Sequence, residues 1–306
     1  MDPKHLVYLA EIINLGSLSR AARRLNVGQP TLSRIVKVIE DKVGSPVLRR
    51  GRYGVTPTVI GERLASQGRE IAESAERAAS SIDHWKKGLT GEVRLSVGPM
   101  LAATIMRGFF ENALKQKWPY SIEVVAEFAA RAIEALNSAK LDAAILPSRL
   151  NLHQENLSQD LLFSDRLAIF AGADSALARA DKRYSISDVA ELPWIETAAI
   201  SGIHGSMREI MMQNGVDVQL HRLRFSGDVM MALQLIANSD ALCILPERQL
   251  EKYALAHTIK KLDVDIALPK RDISFWTTKA SRDTPEIRHL HAQLISHLQR
   301  IDLTPD

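Results

Sequence analysis

The sequence has one cysteine among its 306 residues, and this scarcity excludes an internal disulfide. Cys243 lies in the apolar run ALCILP, which predicts a buried small hydrophobe and argues against a nucleophile or redox sensor. The chain also lacks any run of about eighteen apolar residues and any cationic-then-apolar leader, so neither a membrane span nor a secretory signal is indicated. We therefore expect a cytoplasmic protein without a membrane partner.

Catalytic patterns are missing too. The nine histidines are scattered, and the sequence contains no HExxH, GxSxG or GxxxxGK[ST] motif. Histidine and cysteine also do not occur at the spacing of metal ligands. The nearest approach to a nucleophile site, Gly202-Ile203-His204-Gly205-Ser206, has no strand-serine-helix context. We expect no enzyme activity, no metal and no cofactor.

Positive charge is concentrated at the start of the chain. The whole sequence carries +3, but residues 1–60 hold ten Lys/Arg and four Asp/Glu, so residues 61–306 carry −3. A local excess of cations is typical of a surface that binds nucleic acid.

Residues 17–40 predict two short helices joined by a tight turn at Asn26-Val27-Gly28. The inward face of the first helix is Leu18, Ala21, Ala22 and Leu25, and that of the second is Leu32, Ile35, Val36 and Ile39. Side chains able to read base edges or hold phosphates are left outside: Arg20 on the first helix, and Gln29, Thr31, Ser33, Arg34 and Lys37 on the second. Pro30, which suits the first turn of the second helix, is also expected at the DNA interface. An ordinary helical hairpin with a solvated charged face would show the same pattern.

Residues 48–56 predict two short strands around a glycine-rich, cationic turn. Arg49, Arg50 and Arg52 near its tip would contact the sugar-phosphate backbone beside a helix in the major groove. A charged surface hairpin is the alternative.

A specific series of residues runs through the first 61 positions: Gly16-Ser17-Leu18-Ser19, Ala21-Ala22, Leu25, Gln29-Pro30, Ser33-Arg34, Ile39-Glu40, Gly44, Leu48, Arg50, Thr56 and Gly61. In order and spacing it resembles the winged helix-turn-helix of the LysR-type transcriptional regulators, and the rest of the chain resembles their effector domain. Gly28 stands where that family usually has a capping serine and Leu48 where phenylalanine is common, but glycine is an acceptable cap.

The resemblance implies a multidomain α/β protein that regulates transcription. Its expected parts are a winged helix-turn-helix at 1–57, a linker and dimerisation helix at 58–89, and an effector domain at 92–306 resembling periplasmic binding proteins, with subdomains 92–164 plus 269–301 and 165–268. The implied partners are operator DNA near a promoter, further copies of the chain in a homodimer or homotetramer, and RNA polymerase. Activation is the family's commoner mode.

Between the hairpin and residue 90, apolar or small residues alternate three and four apart: Leu64, Gly68, Ile71, Ala75, Ala78, Ile82, Trp85 and Leu89. Such a heptad seam predicts that two copies of this helix pair, either parallel or antiparallel. The small residues in the seam would allow the two helices to approach each other closely. A single amphipathic helix packed on its own domain is the alternative.

From residue 92 onward, short apolar runs alternate with amphipathic stretches, which is typical of an α/β domain with largely parallel strands. The predicted strands are 93–97, 122–126, 143–146, 167–171, 194–196, 220–225, 241–245 and 273–277. The predicted helices are 103–117, 130–139, 207–214, 229–237 and 285–298.

A small ligand would bind where such strands end and helices begin. By resemblance, the effector contacts lie in four segments: Pro99, Met100 and Leu101; Phe128; Ser201, Gly202, Ile203 and His204; and Ser226 with Asp228. Because the first two segments are poor in hydroxyls, we expect a small organic acid or a partly apolar or aromatic metabolite. Met100 and Phe128 as core residues, and His204 as a plain loop residue, are the alternatives.

Overall fold

The computed structural model describes residues 1–52, 54–150, 154, 156–180, 182–197, 207–215, 221–225, 228–253 and 256–305. The chain divides into two compact units, Met1–Lys87 and Gly88–Asp306. Across those described ranges, no helix is both long and apolar enough to cross a membrane.

The first unit contains four helices and a β-hairpin. Its elements are α1 Pro3–Leu15, α2 Leu18–Arg24, α3 Gln29–Val43, β1 Leu48–Gly51, β2 Gly54–Pro57 and α4 Val59–Lys86. The two predicted short helices and the predicted hairpin are therefore confirmed, whereas α1 has no counterpart among the predicted elements. The inward stripe of α3 is buried as expected, and it packs with Leu9 and Ile12 of α1 in the core of this unit.

The first half of α4 packs tightly on α1. A Cβ atom at Gly68 would lie 2.0 Å from the carbonyl oxygen of Leu6, so only glycine allows this approach. This contact corrects the predicted role of Gly68, since the space beside it is filled by α1 of the same chain. Further along α4, the side chains of Ile82 and Trp85 are 57% and 77% exposed. These two positions of the predicted pairing seam are therefore accessible to a partner, and the pairing itself stays a prediction.

The second unit alternates strands and helices. Its first half contains β3 Glu92–Val97, α5 Pro99–Thr104, α6 Met106–Gln116, β4 Ser121–Ala126, α7 Ala129–Asn137, β5 Ala143–Pro147 and β6 Leu157–Gly172. Next come α8 Ala176–Ala180, β7 Tyr184–Ser185, α9 Ile186–Ala190, β8 Trp194–Thr197, α10 Met207–Gln213, β9 His221–Phe225 and α11 Val229–Ala237. The last elements are β10 Cys243–Pro246, α12 Glu247–Glu251, a 3-10 turn Ala256–Thr258, β11 Ile259–Lys261, β12 Val264–Asp265, β13 Lys270–Thr278 and α13 Pro285–Arg300.

One strand, β6, is shared by two sheets. Residues 157–166 of β6 pair with β13 and form the last strand of a sheet with the order β4-β3-β5-β13-β6. Residues 167–172 of β6 pair instead with β10 and β11. The change of partners falls two residues beyond the predicted subdomain boundary at 164/165, which stays a prediction. Beside the second sheet, β8 and β9 form a parallel pair, and Trp194 of β8 bridges to Leu242 next to β10.

Two predicted elements in the second unit are wrong in extent. The predicted helix 103–117 is two helices, because α5 already begins at Pro99, a residue suited to a first helical turn, and ends at Thr104. The predicted strand 167–171 is the last third of β6, whose earlier residues include the polar runs Ser158-Gln159-Asp160 and Ser164-Asp165-Arg166 and so lack the continuous apolar pattern of the last third.

Candidate functional site

The first unit presents one polar face around α3. Gln29, Pro30, Thr31, Arg34 and Lys37 are exposed and Ser33 is half-buried, opposite the buried stripe of the same helix. At the N-terminus of α3, the N-cap residue is Gly28, which has no side chain to accept a hydrogen bond from the first turn of the helix. The helix therefore offers an uncapped, positively polarised first turn together with amide, hydroxyl and cationic side chains.

The hairpin β1–β2 carries the predicted arginines and is fixed to the helices. Arg49, Arg50 and Arg52 are exposed. The backbone N–H of Val55 donates to the carbonyl oxygen of Gly16 at 3.0 Å, and Gly54, with φ of +132°, passes so close to Gly16 that an added Cβ would lie 2.2 Å from this oxygen. The backbone of the hairpin that carries the three arginines is thus anchored at Gly16, directly before α2.

Two arginines of α2 have partners within the unit. The guanidinium of Arg20 donates to the carbonyl oxygen of Leu15, although the residue stays exposed. Arg24 forms an ion pair with Glu11, with 2.8 Å between Nε and Oε1. Ser19, which sequence reasoning did not select, donates from Oγ to Oε1 of Gln29 at 3.0 Å. No sequence signal marks that contact, because it depends on the turn between α2 and α3.

In the second unit, the strand register pairs the ends of the strands that precede the predicted effector segments in the sequence. Val97 is paired with Ala126 at the ends of the parallel strands β3 and β4, so the segments that contain Pro99 and Phe128 begin side by side. Thr197 is paired with Phe225 at the ends of β8 and β9, and the two remaining segments follow these residues. Carboxyl ends of parallel strands are the usual place for a ligand in α/β folds.

The predicted effector residues have different surroundings. Met100 and Leu101 are 2% and 3% exposed, and Met100 packs with Val229 and Leu233 of α11, so these two side chains fill the core. Phe128 is half-buried at the N-cap of α7, while Asp228 caps α11 by accepting from the N–H of Met231 at 3.0 Å.

The remaining predicted contacts, Ser201, Gly202, Ile203, His204 and Ser226, lie outside the described residues.

An ion pair between a buried glutamate and an exposed arginine lies near the ends of β8 and β9. Glu196 is 3% exposed, and its Oε2 lies 3.0 Å from Nε of Arg224 while its Oε1 accepts from Nη2 at 3.1 Å. Behind it, burial raises the pKa of the Cys243 thiol to about 12, so the predicted inert, buried role of this cysteine is confirmed.

Another buried carboxylate, Asp165, stands where β6 changes partners. It accepts from the backbone N–H groups of Arg166, Arg248 and Gln249 at 2.7, 2.8 and 3.1 Å, and burial raises its pKa. Arg271 lies opposite it on β13, and burial lowers the pKa of that guanidinium to about 10.

Two family profiles match consecutive parts of the chain. The profile of the bacterial regulatory helix-turn-helix protein, lysR family, matches residues 3–62, and the LysR substrate binding domain matches residues 86–299. The chain belongs to the LysR family. It is therefore a DNA-binding transcriptional regulator with a domain for a small effector, and its family is not one of enzymes.

Individual relatives of this LysR-family regulator agree with the assignment. The HTH-type transcriptional regulator TdcA of Escherichia coli K12 is 23% identical over 244 residues, which cover 79% of this chain and 76% of TdcA. Full-length CbnR in complex with its target DNA has the same fold, with a TM-score of 0.67 at 18% identity over 98% of this chain and 100% of CbnR. LysG of Corynebacterium glutamicum, with its effector Arg bound, gives a TM-score of 0.58 at 17% identity over 98% and 99% of the two chains.

Proposed function

We propose that α3 reads base edges in the major groove while the hairpin holds the neighbouring phosphates. The proposed base-reading residues are Gln29, Thr31, Ser33 and Arg34, and the proposed contacts to DNA phosphates are Arg20, Lys37, Arg49, Arg50 and Arg52. Pro30 is proposed to contact the DNA through its apolar ring. The observation that carries the proposal is the exposed polar face of α3 beside a hairpin whose arginines are fixed by the Gly16–Gly54 contact. Amide and guanidinium groups can pair with two base atoms at once, whereas the hairpin cations add affinity without sequence information.

Footprinting on the DNA upstream of the regulator's own gene, at two salt concentrations, tests this proposal. A discrete protected region with dyad-related half-sites, weakened by salt, is the expected result. Diffuse protection of that DNA and of an unrelated duplex alike would contradict sequence-specific binding there.

We further propose that the protein forms a dimer through the distal half of α4 and a tetramer through the second unit. The exposed Ile82 and Trp85 support the first contact. Four exposed apolar side chains of the second unit support the second contact: Leu114 of α6, Val124 of β4, Met212 of α10 and Leu223 of β9. Two copies in antiparallel arrangement would cover such side chains on each copy, and a dimer of recognition helices reads two half-sites.

The proposed effector is a small organic acid with an apolar or aromatic part, bound between the segments after β3 and β4 and those after β8 and β9. The buried side chains of Met100 and Leu101 leave backbone groups of α5 for an anionic end, and Phe128 is a half-buried aromatic residue at that edge. Ser201 and His204 are proposed to complete the anion site, together with Gly202, Ile203 and Ser226.

Calorimetry of the full chain with a panel of aliphatic and aromatic carboxylic acids tests the effector class. Phe128→Ala should weaken an aromatic acid by about 1.5 kcal/mol, roughly tenfold, because apolar contact area is lost. The matched control is Ile295→Ala on the 37% exposed position of α13, which should leave affinity unchanged. Tight binding of only very polar acids, insensitive to Phe128→Ala, would contradict an apolar pocket.

Binding would act through the arrangement of the two sheets that share β6. A ligand that prefers one arrangement shifts the population toward it, changing the spacing of the DNA-binding pairs and hence the bend of the operator. We propose that this change alters contact with RNA polymerase at a neighbouring promoter in the cytoplasm, in the sense of activation.

A further inference from the structure

The contact between Ser19 and Gln29 joins the two helices of the DNA-binding motif at its exposed face. Ser19 is the second residue of α2, Gln29 is the first residue of α3, and the turn between them brings the hydroxyl and the amide to 3.0 Å. Both residues are exposed. An exposed polar pair of this kind adds little to folding, so its position on the DNA-facing side is the informative property.

A glutamine amide presents different chemistry at its two ends, because the oxygen accepts hydrogen bonds and the NH₂ group donates them. The last torsion of a free glutamine is broad and roughly two-fold, so either end can face a ligand. In this structure, the Ser19 hydroxyl donates to Oε1, so the oxygen is engaged by α2 and the NH₂ group is the end of the amide that Ser19 does not hold.

We propose that Ser19 is a positioning residue that sets the specificity of Gln29 by directing its NH₂ group at the major groove. This inference rests on the proposed base-reading role of Gln29. With the donor outward, position 29 selects a base edge that carries acceptors, as in guanine N7 and O6, adenine N7 or thymine O4, and it disfavours the donor N4 of cytosine.

The test uses the full-length protein and a library of randomised duplexes, from which the wild type selects its preferred site. Ser19→Ala, Gln29→Ala, the double variant and Ser19→Thr are then compared on the selected duplex, on a random duplex and by a second selection. Ser19→Ala should lose about two- to tenfold in affinity for the selected duplex, with no loss on the random one. It should also relax the base preference at a single pair, the one relaxed in Gln29→Ala. Ser19→Thr keeps the hydroxyl and should retain both properties.

The double variant separates positioning from direct contact. If Ser19 acts through Gln29, then Ser19→Ala costs nothing further in the Gln29→Ala background. An equal loss in both backgrounds, or wild-type affinity and preference for Ser19→Ala, would overturn the inference while leaving Gln29 as a base reader. Gln29→Ala that weakens selected and random duplexes equally would instead overturn the proposed role of Gln29, and the inference with it. Thermal unfolding of the free variants checks that each one is folded at the assay temperature.

Discussion

The close packing of α4 on α1 makes Gly68→Ala a sensitive test of the first unit. The added Cβ would meet the carbonyl oxygen of Leu6 at 2.0 Å, the carbonyl carbon of Leu6 at 2.4 Å and the backbone nitrogen of Val7 at 3.0 Å. These are backbone atoms inside α1, so they cannot rotate away as a side chain would. The two helices must separate by about 1.4 Å to reach an ordinary 3.4 Å contact.

Two effects of the substitution oppose each other. Alanine is favoured over glycine inside a helix by about 1 kcal/mol. Overpacking a tight contact costs about 3 kcal/mol when backbone must shift, and here the separation also loosens the fully buried Leu9, Ile12 and Ala65. We therefore expect a net destabilisation of about 2 kcal/mol, confined to the first unit.

Hydrogen exchange resolved by peptide measures this loss as a lower opening free energy for amides of α1 and α4. The matched control is Gly108→Ala in α6, where the added Cβ meets only Cε1 of His297, at 3.2 Å. That variant should be neutral or slightly stabilised, since a side-chain atom can yield. Protection of α1 that rises by about 1 kcal/mol in Gly68→Ala would mean that helix propensity dominates, and the inferred contact would be refuted.

Three further perturbations test other parts of the chain. Arg34→Ala should weaken binding to a selected duplex by about 1–3 kcal/mol if it pairs with a guanine edge, and equal weakening on a random duplex would identify a phosphate contact instead. Ile82→Asp should shift the sedimentation of the full chain toward smaller species, because it places a charge in the proposed pairing seam. Ser80→Asp, at another exposed position of the same half of α4, should not change sedimentation. Unchanged sedimentation of Ile82→Asp would argue against pairing at this seam. Burial lowers the pKa of His291 and His297 below the ordinary 6.5. As the pH drops below 6.5, the unfolded chain therefore binds more protons at these histidines than the folded chain does, and the free energy of unfolding falls. Urea denaturation at pH 7.5 and 5.5 should show this loss, reduced in His297→Gln, and an equal loss in that variant would assign it to other groups.

Local periodicity made the DNA-binding unit predictable. The stripe from Leu32 to Ile39 has one helical solution with a polar outer face, and the arginine hairpin is bounded by glycines, so both elements follow from nearby residues. By contrast, a small residue at position 68 is compatible both with close pairing to a second copy of α4 and with close packing on α1 of the same chain. No local sequence pattern distinguishes these two kinds of helix contact. The burial of Met100 likewise depends on α11, more than 120 residues away, so sequence indicated the apolar character of that segment without showing which atoms remain free.

The sharing of β6 between two sheets limits how this regulator can signal. The hydrogen bonds on either side of Arg166 anchor β6 in both sheets, and since the twist between neighbouring strands varies widely among proteins, twist is the coordinate along which such a strand can change with little change in length. The Asp165 carboxylate also ties α12 to this segment through two N–H groups, so a rotation here carries α12 with it. We therefore predict that effector binding rotates the two sheets relative to each other about β6, a change that is measured as an angle between the sheets instead of an opening distance.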